Sequence, residues 1–140
     1  MMPTSDNTAL VRRMVEEVWN RGDLDAADVL FAAGYTNHGG LIIDVVHGPE
    51  AIKMSVGMYK SAFPDFWITI DDLRADGPRV FLQWTARRDV PSVRRDGASD
   101  TVSQFMPGSS VCSIADGKIV ESWTSWNQAS VVRNLGLRPA

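Results

Sequence analysis

The sequence is poor in everything that would tie a small protein together covalently or through a metal. It has one cysteine among 140 residues, Cys112, which excludes an internal disulfide. No Cys-x-x-Cys pair or Cys/His spacing occurs, and the two histidines are His38 and His47, so no zinc site and no metal are expected. An excess of positive charge is also lacking: 14 Lys and Arg stand against 17 Asp and Glu, a net charge of −3. That balance gives no electrostatic ground for binding nucleic acid or an anionic membrane. The one arginine cluster, Arg87, Arg88, Arg94 and Arg95, is interrupted by Asp89 and Asp96 and reads as a solvated loop. No apolar run reaches the length of a membrane span, and residues 1–10 are polar, so a cytoplasmic protein is expected. Internal repeats and low-complexity tracts are missing as well.

What is present is an ordinary globular composition, 44% hydrophobic and 22% charged, at the usual length of one domain. One domain over residues 1–140 with a single core is therefore expected. Residues 6–19 carry Leu10, Val11, Met14, Val15, Val18 and Trp19 at helical spacing, and Gly22 stops the run. A shorter helix over residues 24–31 follows, then a loop-like stretch over 34–48. Gly48-Pro49-Glu50 opens a helix to about Phe63, with Ile52, Val56, Tyr59 and Phe63 on one stripe and Met54 and Met58 beside it. The second half alternates as strands: residues 66–73, 79–90, 101–115 and 119–126. Asp76-Gly77-Pro78 and Asp116-Gly117 supply turns, the latter a strong hairpin signal. Residues 128–135 read as a short last helix. Helices first and an antiparallel meander after is the order of an α+β fold. A bent sheet wrapped around the long helix would form a cone with an open end, and Trp67, Trp84, Trp123 and Trp126 lie on its strands.

Several segments, in order and at suitable spacing, resemble one family. They are Val18-Trp19-Asn20-Arg21-Gly22-Asp23, Tyr35-Thr36-Asn37-His38, Gly48-Pro49-Glu50-Ala51-Ile52 and Ala62-Phe63-Pro64-Asp65-Phe66. The last are Ala115-Asp116-Gly117-Lys118-Ile119-Val120-Glu121-Ser122-Trp123 and Asn134-Leu135-Gly136. Together the segments resemble the SnoaL-like polyketide cyclases of the nuclear-transport-factor-2-like superfamily. The resemblance implies three helices on a strongly curved antiparallel sheet enclosing a pocket, often a homodimer through the outer sheet face. It implies intramolecular aldol ring closure of a small apolar or polycyclic ketone or ester, with no cofactor.

The family's acid/base aspartate falls within or just after a Trp-x-x-x-Asp segment, and here the chain reads Trp123-Thr124-Ser125-Trp126-Asn127. Asn127 or, in the alternative register, Thr124 stands in its place, and neither is a general base near neutral pH. Asn127 retains the ability to donate a hydrogen bond to an enolate. His38, with an ordinary pKa suited to proton transfer, is the first substitute for the base. Asn127 or Gln104 is expected to polarise the carbonyl as a catalytic group, and Gln104 and Ser110 are expected as polar groups of the pocket. Its walls are expected from Tyr35, Met58, Tyr59, Phe63, Trp84, Met106, Trp123, Thr124 and Trp126. Cofactor-free cyclisation, cofactor-free hydroxylation or isomerisation, and non-catalytic ligand binding all stay open at this point.

Overall fold

The computed structural model describes residues 4–38 and 46–126. Asn127 and the tail helix expected over 128–135 lie outside them, as does the Trp126 side chain. Three helical segments pack on one face of a curved, unclosed five-stranded sheet, in the order expected from the sequence except for one strand that precedes the third helix. Helix α1 spans Thr4–Arg13 and runs on without a break into a π-helical stretch, Met14–Asn20. Its apolar stripe is the one read from the sequence: Val11, Met14, Val15 and Val18 are all buried. The widened turn is invisible in that stripe, because both helix types bring residues three to five apart onto one side. Asp23 caps α2 (Leu24–Leu30), its carboxylate accepting from the Ala26 N–H at 3.3 Å.

The stretch expected as a loop begins instead with a strand, β1 (Phe31–His38), and this corrects the sequence reading. Its pattern is weak because Ala32, Ala33 and Gly34 carry no side chain that reports a face. What fixes it is distant in sequence: β1 pairs in parallel with β5 (Lys118–Trp126), His38 lying opposite Trp123. Helix α3 (Pro49–Ala62) starts at Gly48, whose N–H donates to the Tyr35 carbonyl at 2.8 Å. Gly48 has φ 81°, and a Cβ there would meet the Ala33 carbonyl oxygen at 2.5 Å, so the junction between β1 and α3 requires glycine.

Strands β2 (Trp67–Asp76), β3 (Arg79–Val93) and β4 (Ser99–Ala115) complete the sheet, whose order is β1-β5-β4-β3-β2. Register shifts between Ile70 and Asp72 and between Ser113 and Ile114 bend it. Asp116 and Gly117 both take positive φ, 52° and 73°, as a two-residue β4–β5 hairpin demands. On β3 the inward side chains are Val80, Leu82, Trp84, Ala86 and Arg88, all buried. Arg88 therefore leaves the solvated cluster in which composition placed it. No helix among the described residues is long and apolar enough to cross a membrane.

Candidate functional site

Between the helices and the inner sheet face lies a partly open cavity of about 90 Å³. Met14, Val15 and Trp19 from the π-helical stretch and Ile52, Ser55 and Tyr59 from α3 form one side. The sheet supplies Leu82, Trp84, Ser110, Cys112, Ser122 and Thr124, with Phe31, Tyr35 and Asn37 closing the β1 end. The Trp84 indole is an inner wall and lies over Gly108, its register partner on β4. Any Cβ at Gly108 would collide with that ring, so glycine there is what lets the indole lie against the sheet.

The polar groups inside are neutral and linked. The Trp84 Nε1–H donates to Ser110 Oγ at 3.1 Å, and Ser110 Oγ lies 3.3 Å from Thr124 Oγ1. The Thr124 hydroxyl in turn donates to Asn37 Oδ1 at 3.3 Å. Because the Thr124 proton goes to the Asn37 amide oxygen, which can only accept, Ser110 donates to Thr124, and the chain has one direction: Trp84 to Ser110, Ser110 to Thr124, Thr124 to Asn37. Such a chain fixes each hydroxyl rotor and leaves lone pairs on both oxygens, with the Asn37 amide at its end. The buried Tyr59 hydroxyl has no hydrogen-bond partner among the described residues. Burial raises its pKa, an effect partly offset by the charge of Arg88, so the phenol keeps its proton and is a donor at neutral pH. The Cys112 thiol is pushed up to about 11 by burial, with the Ser122 hydroxyl donating to its sulfur at 3.6 Å; it is a thiol and not a nucleophile.

Of the residues expected at the site, Tyr35, Tyr59, Trp84, Ser110 and Thr124 line the cavity. Others do not. His38 lies on the opposite face of the sheet: period two along β1 turns Tyr35 and Asn37 inward and Thr36 and His38 outward. There His38 Nε2 meets Glu121 Oε2 at 2.6 Å and its ring stacks on Trp123 at 5.5 Å. His38 therefore cannot act as a base within the cavity, and Trp123 cannot be its wall. His47, also outside, contacts Thr36 Oγ1 through Nδ1 at 3.0 Å. Met58 is 60% exposed, because the inward stripe of α3 runs Ile52, Val56, Tyr59 and leaves Met58 on the other side. Met106 is buried core, while Phe63 and Gln104 hold the Arg88 guanidinium instead of facing the cavity. Asn37 was overlooked, although the alternation of β1 would have found it once the strand was recognised. None of the described cavity-lining residues carries a carboxylate or an imidazole. No group of three His, Cys, Asp or Glu side chains able to hold a metal occurs among the described residues.

The sequence model of the SnoaL-like polyketide cyclases matches residues 9–135. The chain belongs to that family. Solved structures carry the same fold. A candidate polyketide cyclase from Acidithiobacillus ferrooxidans superposes with a TM-score of 0.79 at 23% identity, covering 97% of this chain and 98% of that one. IdmH, a candidate polyketide cyclase from Streptomyces antibioticus, gives 0.75 at 22%, over 94% and 99%. AclR, a candidate hydroxylase from Streptomyces galilaeus, gives 0.75 at 22%, over 99% and 89%. A search of curated proteins finds no match. Identities this low establish the nuclear-transport-factor-2-like fold alone. The SnoaL-like cavity of this chain thus has to be read from its own residues.

Proposed function

We propose that this SnoaL-like chain is a cofactor-independent enzyme that closes a small keto ester or diketone by intramolecular aldol chemistry. The observation that carries the reading is the directed chain of neutral hydrogen-bonding groups, Trp84–Ser110–Thr124–Asn37, inside otherwise apolar walls. In such a setting, donors aimed at a carbonyl stabilise the charge that develops when it becomes an enolate. The Asn37 amide and the Tyr59 hydroxyl are the donors for the enolate and for the alkoxide formed when it attacks the second carbonyl. The α-proton passes to water on the open side of the cavity, since no ionisable base lines the described walls, and a proton returns to the alkoxide. Mass is unchanged overall. A 1,3-dicarbonyl compound, whose α-proton is already acidic, suits a site built this way.

The enclosed volume narrows the substrate. About 10–15 Å³ of such space holds one water, so the cavity accommodates one small ring or branched chain. A polycyclic substrate would insert an end ring only. Catalysis is tested by incubating small β-keto esters and diketones with the protein, without added cofactor, and resolving the products by mass. Product of unchanged mass, lowered about tenfold by Thr124→Val, is expected; a gain of one oxygen would move the assignment to hydroxylation. The absence of a carboxylate or imidazole from the described walls favours one other reading, a binding module. In that case ligands would quench Trp84 and Trp19 fluorescence with no turnover.

The same proposal includes a homodimer through the outer sheet face. Two cross-strand rows stand there, Trp67–Arg87–Phe105 and Phe81–Val111–Trp123. Trp67, Phe81, Phe105 and Trp123 are 51%, 44%, 56% and 39% exposed, an amount of aromatic surface that fits burial against a second copy. Sedimentation of the wild type as a dimer, and of Phe81→Asp/Trp123→Asp as a monomer, is the expected outcome; a monomeric wild type would remove the proposal.

A further inference from the structure

The serines and the threonine that line the cavity all spend their protons on the protein itself. Ser110 and Thr124 pass theirs along the chain that ends on Asn37 Oδ1. The Ser55 hydroxyl donates back to the Ala51 carbonyl at 3.1 Å, and the Ser122 hydroxyl is given to Cys112 Sγ. A hydroxyl has one proton and two lone pairs, so these side chains have only lone pairs left for a ligand. By composition the wall is merely polar; by direction of its hydrogen bonds it is a wall of acceptors.

Ser110 and Thr124 form its most specific part. Their oxygens stand 3.3 Å apart, and both side chains line the cavity with part of their surface open. Ser110 Oγ accepts from the Trp84 indole at 3.1 Å and Thr124 Oγ1 accepts from Ser110, which leaves each oxygen one lone pair. Neither can turn its proton to a ligand without breaking the chain. Asn37, next in line, has the opposite character. Its Oδ1 is taken by Thr124, while its Nδ2–H groups meet no acceptor among the described residues. The row presents acceptor, acceptor, donor to whatever enters.

We propose that the ligand of this cavity is a hydroxy ketone, whose hydroxyl donates to the paired Ser110 and Thr124 oxygens while its neighbouring carbonyl accepts from Asn37 Nδ2. This rests on the reading of the cavity as a small-molecule pocket. It narrows the keto esters and diketones of that reading to those with a hydroxyl, or an enol O–H, beside the carbonyl held by Asn37. The hydroxyl is a group that binds and does not react, so Asn37 and Tyr59 keep the roles given them above. An ether or second ketone oxygen in the same place would set lone pairs against lone pairs. An ammonium group would also donate there, but no carboxylate of the described walls offsets its desolvation.

The test compares three one-ring probes by nitrogen-15 NMR titration. They are 2-hydroxyacetophenone, propiophenone with a methyl in place of the hydroxyl, and 2-methoxyacetophenone, which keeps the oxygen and loses its proton. The wild type is expected to bind the hydroxy ketone about tenfold tighter than either analogue, the contribution of one neutral hydrogen bond. The Trp84 indole N–H signal, assigned by its loss in Trp84→Phe, should move with that ligand, because Ser110 Oγ then accepts twice. Thr124→Val removes one lone pair and frees the Ser110 proton to face the cavity. In that variant the preference for the hydroxy ketone should fall to about threefold or less, and the methoxy ketone should gain. Ser110→Ala should keep part of the preference without that gain, and it carries the comparison if Thr124→Val does not fold. Equal binding of the hydroxy ketone and propiophenone in the wild type, tighter binding of the methoxy ketone there, or a preference undiminished in both variants would overturn the hydroxyl seat and leave the pocket reading standing. Failure of all three probes to bind the wild type would overturn the pocket reading and this inference with it. The seat is read by binding alone, so the outcome of the mass-resolved turnover assay stands apart from it.

Discussion

Replacing Asn20 by alanine should lower the unfolding free energy by about 2–4 kcal/mol, the cost of two lost hydrogen bonds and the backbone groups they leave behind. Asn20 ends the π-helical stretch and is 8% exposed. Its side-chain amide copies a peptide: Nδ2–H donates to the Ile68 carbonyl at 2.8 Å, and Oδ1 accepts from the Ile68 N–H at 2.7 Å. β2 is an edge strand, so these are groups no neighbouring strand can reach. The Lys60 ammonium ties the same corner, donating to the carbonyls of Asn20 and Phe66 at 2.8 Å each. Because Ile68 and Trp19 line the cavity, the loss should also loosen its wall. Urea unfolding followed by circular dichroism measures the change. Asn20→Asp sharpens the test. A carboxylate still accepts from the Ile68 N–H but opposes the Ile68 carbonyl, so its folded-state pKa is raised above the unfolded value. Its stability deficit should then shrink as pH falls through that raised pKa, because the protonated acid donates as the amide did. An alanine variant within 0.5 kcal/mol of wild type would show that the amide bridge holds nothing.

Asn20 also shows where sequence reading reaches its limit. Its place at a helix end was legible from Asn20-Arg21-Gly22-Asp23, whereas its partner lies 48 residues away on an edge strand. The local signals were strong wherever chemistry is local. Gly48-Pro49 started α3, Asp116-Gly117 turned the hairpin, and period two along β3 put Trp84 inside. β1 was missed because its pairing with β5 is parallel and distant, and its first residues are small. That single omission displaced the site. Without a strand there is no alternation, and without alternation His38 cannot be told from Asn37, although one residue separates the sheet's outer face from its cavity. The arginine cluster failed in a related way: composition treated Arg87 and Arg88 as a pair, and the strand sends them to opposite faces. Tyr59, Trp84, Ser110 and Thr124 were found because each sits on an element whose period the sequence displays, whereas Tyr35 stood out only through the Tyr35-Thr36-Asn37-His38 segment that carries the resemblance.

Thr124→Asp should raise turnover of a β-keto ester by about 100-fold, the contribution of one positioned general base. The family resemblance implies Thr124 as one of two positions for the acid/base aspartate, and the Thr124 side chain lies in the cavity between Ser110 and Asn37. The substituted carboxylate would accept from the Ser110 hydroxyl and stand among Trp84, Leu82 and Phe31, apolar neighbours that raise its pKa toward neutrality. The gain should therefore grow with pH until the carboxyl is fully ionised, in a profile the wild type lacks. The cost is a buried acid in place of a satisfied hydroxyl, about 1–3 kcal/mol of stability. Thr124→Asn is the control, matching the shape without the charge; an equal gain there would mean that hydrogen bonding, not proton abstraction, limits the reaction. A fully inert aspartate variant that still binds ligand would place the reacting carbon away from Thr124 and favour a binding module. The arithmetic separates these cases, because a positioned base contributes factors of 10² to 10⁴ while a single neutral hydrogen bond contributes about tenfold. In the proposed cyclase reaction the donors of the described walls supply the charge-stabilising half, and one carboxylate at position 124 would supply the base that those walls lack.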